Sequence, residues 1–243
     1  MSFDCDLIVI GAGSGGLAAA ERASAYGMRV AIAECSDLGG ACINYGCIPE
    51  KLLDYAASFA RREPVAVSYG WSSCDRRFDW SQFIAAKEQH IRRLHELHLN
   101  RLQDSGVQFL RGRAAFIDAH TLVVADRRIT SDKILIAVGA QPVRLEIPGI
   151  EYAITWRELY RLPKQPKQIA ILGGDPIGVK IAGSLNALGS QVTQIIPEER
   201  ILPELDAEIG KAIQERMIKQ GVRVLSQTRV EKIQPIGDRD SSF

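Results

Sequence analysis

The feature that most constrains the fold is a glycine-rich turn set between an apolar run and an alanine-rich one. Asp6-Leu-Ile-Val-Ile10 reads as a buried strand, and Gly11-Ala-Gly-Ser-Gly-Gly16 follows it at once. Leu17 to Tyr26 then reads as a helix closed by Gly27, and Arg29 to Glu34 as a second strand. Strand, turn, helix and strand within about 30 residues make a βαβ unit. Gly11, Gly13 and Gly16 fit G-x-G-x-x-G, and each has a separate task. The first permits the tight turn, the second lets a pyrophosphate approach the backbone, and the third packs helix on strand. The helix N-terminus beyond them offers free N–H groups to phosphates. Glu34 ends the second strand, where it can accept hydrogen bonds from an adenosine ribose. A strand–helix turn with no ligand is the bland alternative. The flanking strand, the helix and Glu34 together favour dinucleotide binding.

The pattern restarts downstream. A helix is expected from near Gly40 to Arg62, and a long amphipathic helix, capped by Asp79, from Trp80 to about Ser105. Short strands follow around Val107–Leu110, Ala115–Ile117, Leu122–Val124 and Arg128–Thr130, then a buried one from Lys133 to Val138. A proline-bearing connection with one short helix covers 148–167. At Gln168 a second unit begins: strand Gln168–Leu172, turn Gly173-Gly-Asp-Pro-Ile-Gly178, helix Val179–Leu188, strand Gln191–Ile196. Asp206 caps a further helix to Gln220, and Val222–Leu225 is another strand. Two such units in one chain are a more specific signal than either alone, and they predict an α/β fold with doubly wound parallel sheets.

Between the units lies Gly39-Gly-Ala-Cys42-Ile-Asn-Tyr-Gly-Cys47-Ile-Pro49. Four residues separate the cysteines, near a helix start that should favour thiolate. The spacing suits a disulfide that opens and closes with little motion. Two inert buried thiols, or half of a zinc site, are the alternatives. No second cysteine pair exists, and His90, His95 and His98 fall on a surface-type helix, so no metal is expected. Thirty basic and twenty-nine acidic side chains leave a formal charge of +1, which demands neither nucleic acid nor an acidic membrane as partner. No apolar run reaches the ~20 residues of a membrane helix, and the N-terminus has no signal-peptide pattern. A cytoplasmic location is the expectation.

Gly11–Gly16, Glu34, Leu38–Lys51, Ile134–Pro142 and Ile169–Leu205 together resemble the N-terminal half of the class I pyridine nucleotide-disulfide oxidoreductases, and within them bacterial and cyanobacterial glutathione reductases. The resemblance implies an FAD-type Rossmann domain over 1–150 and a second, truncated NAD(P)-type Rossmann domain over 151–243. It implies that NAD(P)H reduces FAD, that FAD reduces the Cys42–Cys47 disulfide, and that Cys42 attacks glutathione disulfide or a similar small disulfide while Cys47 lies against the flavin. Gly11, Gly13, Ser14, Gly15, Gly16, Glu34, Gly40, Ala41, Cys42, Ala114 and Gly139 fall on family FAD positions. Gly173, Gly174, Ile177 and Gly178 fall on the nicotinamide-nucleotide turn. His98 falls on a substrate-contacting position. The family is homodimeric through a C-terminal domain expected beyond residue 243, as is its second FAD-binding segment.

Departures from the family pattern are concentrated in the second unit. Asp175 stands at the second glycine, and Pro176 at a residue gating the nicotinamide pocket. Pro197 and Pro203 replace two arginines that grip the 2′-phosphate of NADPH, and Ile196 stands where NADH-dependent members often carry Glu. Weak or absent NADP(H) binding is therefore expected, against the alternative of a changed cofactor preference. Family members also place a lysine after the motif proline, near the flavin, paired with a glutamate. Here the two positions hold Glu50 and Lys180, a pair of exchanged polarity, with Lys51 next along the chain. A disulfide reductase and a catalytically inactive flavin-binding module are both compatible with these residues.

Overall fold

A computed structural model of the chain describes residues 3–72 and 77–236. Packing divides the chain into two units, Met1–Pro49 with Ala86–Pro142, and Glu50–Ala85 with Val143–Phe243.

In the first unit, β1 (Cys5–Ile10), α1 (Ser14–Ala25) and β2 (Val30–Glu34) form the expected βαβ. All five residues of β2 are buried, as suits a parallel strand covered on both faces. Further strands are β3 (Gln108–Arg111), β4 (Ala114–Phe116), β5 (Thr121–Val124) and β6 (Arg127–Ile136). The sheet order is β3-β2-β1-β6-β5-β4. β1 lies between β2 and β6 and is parallel to both, while β5 pairs antiparallel with β4 and β6. β1 is therefore the strand at which the chain switches direction across the sheet, the place where such folds bind ligands. One face packs Val9, Leu17, Ala20, Ile32, Leu102 and Val107, the other Ile8, Ala31, Ala33, Leu110, Leu122 and Ile129.

Two elements differ from the sequence expectation. β6 is one continuous strand, not two, because Ser131 stays in the ladder opposite Cys5 and its hydroxyl donates to the Lys133 carbonyl. The helix expected from Gly40 is broken into α2 (Gly40–Asn44) and α3 (Cys47–Ser68). The Tyr45 and Gly46 N–H groups both donate to the Ala41 carbonyl, which closes α2 with a turn. α4 (Trp80–Asp104) starts where expected, with the Asp79 carboxylate accepting from the Gln82 N–H.

The second unit holds α5 (Trp156–Leu159), β7 (Gln168–Leu172), α6 (Pro176–Ala187), β8 (Gln191–Ile195), α7 (Ala207–Lys219) and β9 (Arg223–Leu225). Its sheet is parallel in the order β7-β8-β9. Leu53 and Trp80 are buried with Leu159, Tyr160, Ile181, Leu185, Val192 and Ile196, and the Trp80 indole donates to the Leu162 carbonyl. The packing units thus do not follow a single cut at residue 150: apolar side chains between Glu50 and Ala85 complete the second core. Among the described residues no helix is long and apolar enough to cross a membrane.

Candidate functional site

The first glycine turn leaves β1 and enters α1. Gly11 has φ +101°, and a Cβ there would strike the Ala137 carbonyl, just after β6. A Cβ at Gly16 would strike the Gly11 carbonyl. Both glycines are demanded by the fold itself. Gly13 is different. Its φ of −78° suits any residue, and a Cβ would meet nothing closer than Gly40 Cα at 3.7 Å. Glycine at 13 therefore keeps space open rather than relieving strain. α1 carries no side-chain cap, so the N–H groups of Ser14, Gly15 and Gly16 lack intrahelical acceptors. Ser14 and Gly15 are exposed. Room, three donors and a helix N-terminus are what a pyrophosphate requires, and these residues fit FAD.

Glu34 is fixed at the end of β2. One carboxylate oxygen accepts from the Ala12 N–H at 2.8 Å, and the other from the Ser36 N–H and hydroxyl, both at 2.9 Å. Burial pushes its pKa up, but these hydrogen bonds outweigh burial and hold it below the ordinary value. It is an anchored anion, with spare acceptor capacity for ribose hydroxyls. The Gly112 N–H donates to the Glu34 carbonyl, which brings the start of β4, and Ala114, to the same end of the sheet. Gly139, at φ +71°, follows β6 beyond the Ala137 contact.

The cysteine loop is docked directly on the glycine turn. Gly13 and Gly39 form a parallel bridge, and the Gly39 N–H donates to the Ala12 carbonyl at 2.8 Å. A Cβ at Gly40 would press on Gly13 Cα at 2.7 Å, so α2, carrying Ala41 and Cys42, begins against the turn. Cys42 is half-buried, Cys47 opens α3 and is exposed, and both are free thiols. Burial, then the neighbouring Cys47, pushes the Cys42 thiol up to about 11. The expected helix-terminus lowering is not what governs Cys42, because desolvation of a half-buried sulfur outweighs the dipole of a five-residue helix.

One residue here was not singled out from the sequence, and another was read only as part of a surface-type helix. Asn44, between the cysteines, is buried, and its amide donates to the Leu38 and Gly40 carbonyls. Its oxygen lies 2.7 Å from His95 Nε2 on α4, so His95 is part of the loop's support and not a solvated helix histidine. His98, one turn on, is partly buried. Its Nδ1 is enclosed with no partner, and burial, then the Arg101 charge, lowers its pKa. Cys74 lies outside the described residues.

In the second unit, Gly173 and Gly174 lie in the turn between β7 and α6, and Ile177 and Gly178 in the first turn of α6. Lys180, on α6, pairs with Glu50 at 3.1 Å, so the exchanged charges do form a bridge. Lys51 is turned to Asp54 at 3.2 Å and lies over the Tyr55 ring. Among the described residues no group of three or more His, Cys, Asp or Glu side chains could hold a metal ion.

The sequence profile of the family described as "Pyridine nucleotide-disulphide oxidoreductase" matches residues 5–241. A glutathione reductase of Nostoc sp. is 46% identical over 236 residues, 97% of this chain and 51% of that protein. A glutathione reductase of Burkholderia cepacia is 36% identical over 90% of this chain and 49% of its own length. Among solved structures, the Cu(II) complex of the HOCl-induced flavoprotein disulfide reductase RclA from Escherichia coli is similar, with a TM-score of 0.84 and 30% identity. It is matched over 98% of this chain and 52% of that one. The chain spans about half the length of the relatives it matches.

Proposed function

Because the chain belongs to the pyridine nucleotide-disulphide oxidoreductase family, we propose that its first unit holds FAD and that Cys42 and Cys47 are the dithiol of a flavoprotein disulfide reductase. Membership implies FAD and NADP(H) binding. The observation that carries the reading is the docking of the cysteine loop on the open glycine turn, through the Gly13–Gly39 bridge. Gly13 keeps the approach clear, the Ser14, Gly15 and Gly16 N–H groups bind phosphate oxygens, and Glu34 accepts from the ribose. Bound FAD supplies a carrier for two electrons.

The cysteine chemistry balances without any other group. A thiolate of the reduced pair attacks a small disulfide, forming a mixed disulfide and releasing one thiolate, which takes up a proton. The second cysteine attacks the mixed disulfide, closing Cys42–Cys47 and releasing the second thiol. The relatives named glutathione reductase favour glutathione disulfide as substrate. His95 and Asn44 hold the loop between the sulfurs.

The test counts thiols in the purified chain as isolated and after dithiothreitol, for the parent and for Cys42→Ser and Cys47→Ser. The parent oxidised by glutathione disulfide should gain two reactive thiols on reduction, and each single variant should trap a mixed disulfide with glutathione. Cysteines that stay fully reduced in glutathione disulfide would contradict the proposal.

A further inference from the structure

The chain contains two glycine turns of similar backbone conformation that differ at the position before the helix and in its first turn. Gly11 and Gly173 both take positive φ, +101° and +112°. The residue before each helix is extended, Gly13 at φ −78°, ψ −177° and Asp175 at φ −71°, ψ 168°. Gly16 and Gly178 each back onto the carbonyl of the first glycine. At the first turn the position before the helix is bare and three N–H groups are open. At the second, the Asp175 carboxylate accepts from the Gly178 N–H at 2.7 Å. Pro176, at the first helical position, has no N–H to offer. Of the three leading donors of α6, one is absent and one is taken by the chain's own carboxylate, leaving that of Ile177.

The loop beyond β8 gives no compensating charge. Pro197 to Asp206 contains Glu198, Glu199, Glu204 and Asp206 against the single cation Arg200. The Arg200 guanidinium is spent on the carbonyls of Leu202 at 2.6 Å, Leu205 at 2.9 Å, Pro203 at 3.2 Å and Ile201 at 3.4 Å. The loop is tied to the turn, the Leu202 N–H donating to the Gly174 carbonyl at 2.7 Å.

We infer that Asp175 is a built-in occupant of the second turn: its carboxylate takes the place of a cofactor phosphate, so this unit does not hold NADP(H) by its pyrophosphate. The residues present do not fit the nicotinamide nucleotide that the family implies, and they fit a self-capped structural helix. The inference stands apart from the proposed FAD and dithiol chemistry, since it concerns only residues of the second unit.

The test is calorimetric titration of the full chain with NADPH and with NADH, FAD being in excess to fill the first turn. The parent should show no saturation below about 1 mM. Asp175→Gly restores the open arrangement of the first turn and should tighten binding by about 10- to 100-fold, the effect of one recovered charge-assisted hydrogen bond. Asp175→Asn keeps the cap while removing the charge and should tighten it less. Micromolar binding of either nucleotide by the parent would overturn the inference. So would a folded Asp175→Gly chain with no gain. Should that variant fail to fold, Asp175→Asn decides alone, and its failure to improve binding would count against Asp175 as the block.

Discussion

At the scale of single residues, the sulfurs and Glu34 carry the sharpest expectations. With its thiol pushed up to about 11, Cys42 exposes only on the order of one thiolate in a thousand at pH 8. In the reduced chain without flavin, alkylation should therefore reach the exposed Cys47 first, and the Cys42 rate should keep rising with pH up to about 11, as mass spectrometry of each labelled peptide would record. Equal labelling of both at neutral pH would contradict this. It also reverses the order that the family resemblance suggests, because exposure and burial in this chain favour Cys47 for the first encounter. Glu34→Ala leaves the Ala12 N–H unpaired in a buried place and should cost about 1–3 kcal/mol in urea unfolding at neutral pH. Since the folded Glu34 carboxyl titrates below its ordinary value of 4.5, its contribution is complete above that pH and is lost as pH falls through the folded value. The gap between parent and variant should shrink in that acidic window.

Among elements, the two helix N-termini make a matched experiment within one molecule. Asp175→Ala removes the cap of α6 and should destabilise the second unit by about 0.5–2 kcal/mol, whereas Asp175→Gly should cost only a few tenths. Thermal unfolding of the two variants would check the ordering. The glycine turns, the strands around them and the capping of α4 by Asp79 were legible in the sequence, because a turn residue or cap acts on its immediate neighbours. The break between α2 and α3 was not. It depends on one carbonyl, Ala41, accepting two N–H groups, and neither Tyr45 nor Gly46 announces that. The fusion of β6 was hidden for the same reason: Ser131 looks like a breaker until Cys5 pairs with it from far along the chain.

For the whole molecule, long-range packing is what the sequence concealed. Leu53 and Trp80 enter the second core although they precede its βαβ by many residues, and no local pattern marks which core an amphipathic helix will join. The same limit hid His95, whose only signal was a position on a helix and whose partner, Asn44, lies on a different element. The residues of the candidate site stood out more than the packing around it, since the spacing of Gly13, Glu34, Cys42 and Cys47 marks them as candidates. On the proposed reading the first turn is open and binds FAD, while the second is closed by its own side chain. The most direct test transplants the closed arrangement onto the open turn and follows quenching of FAD fluorescence in the parent and in Gly13→Asp. Gly13 has an ordinary φ and space for a side chain, so the substitution should leave the thermal transition in place. Saturable one-to-one FAD binding by the parent, abolished in a folded Gly13→Asp chain, is the predicted result; no saturable binding by the parent, or equal binding by both, would contradict the account.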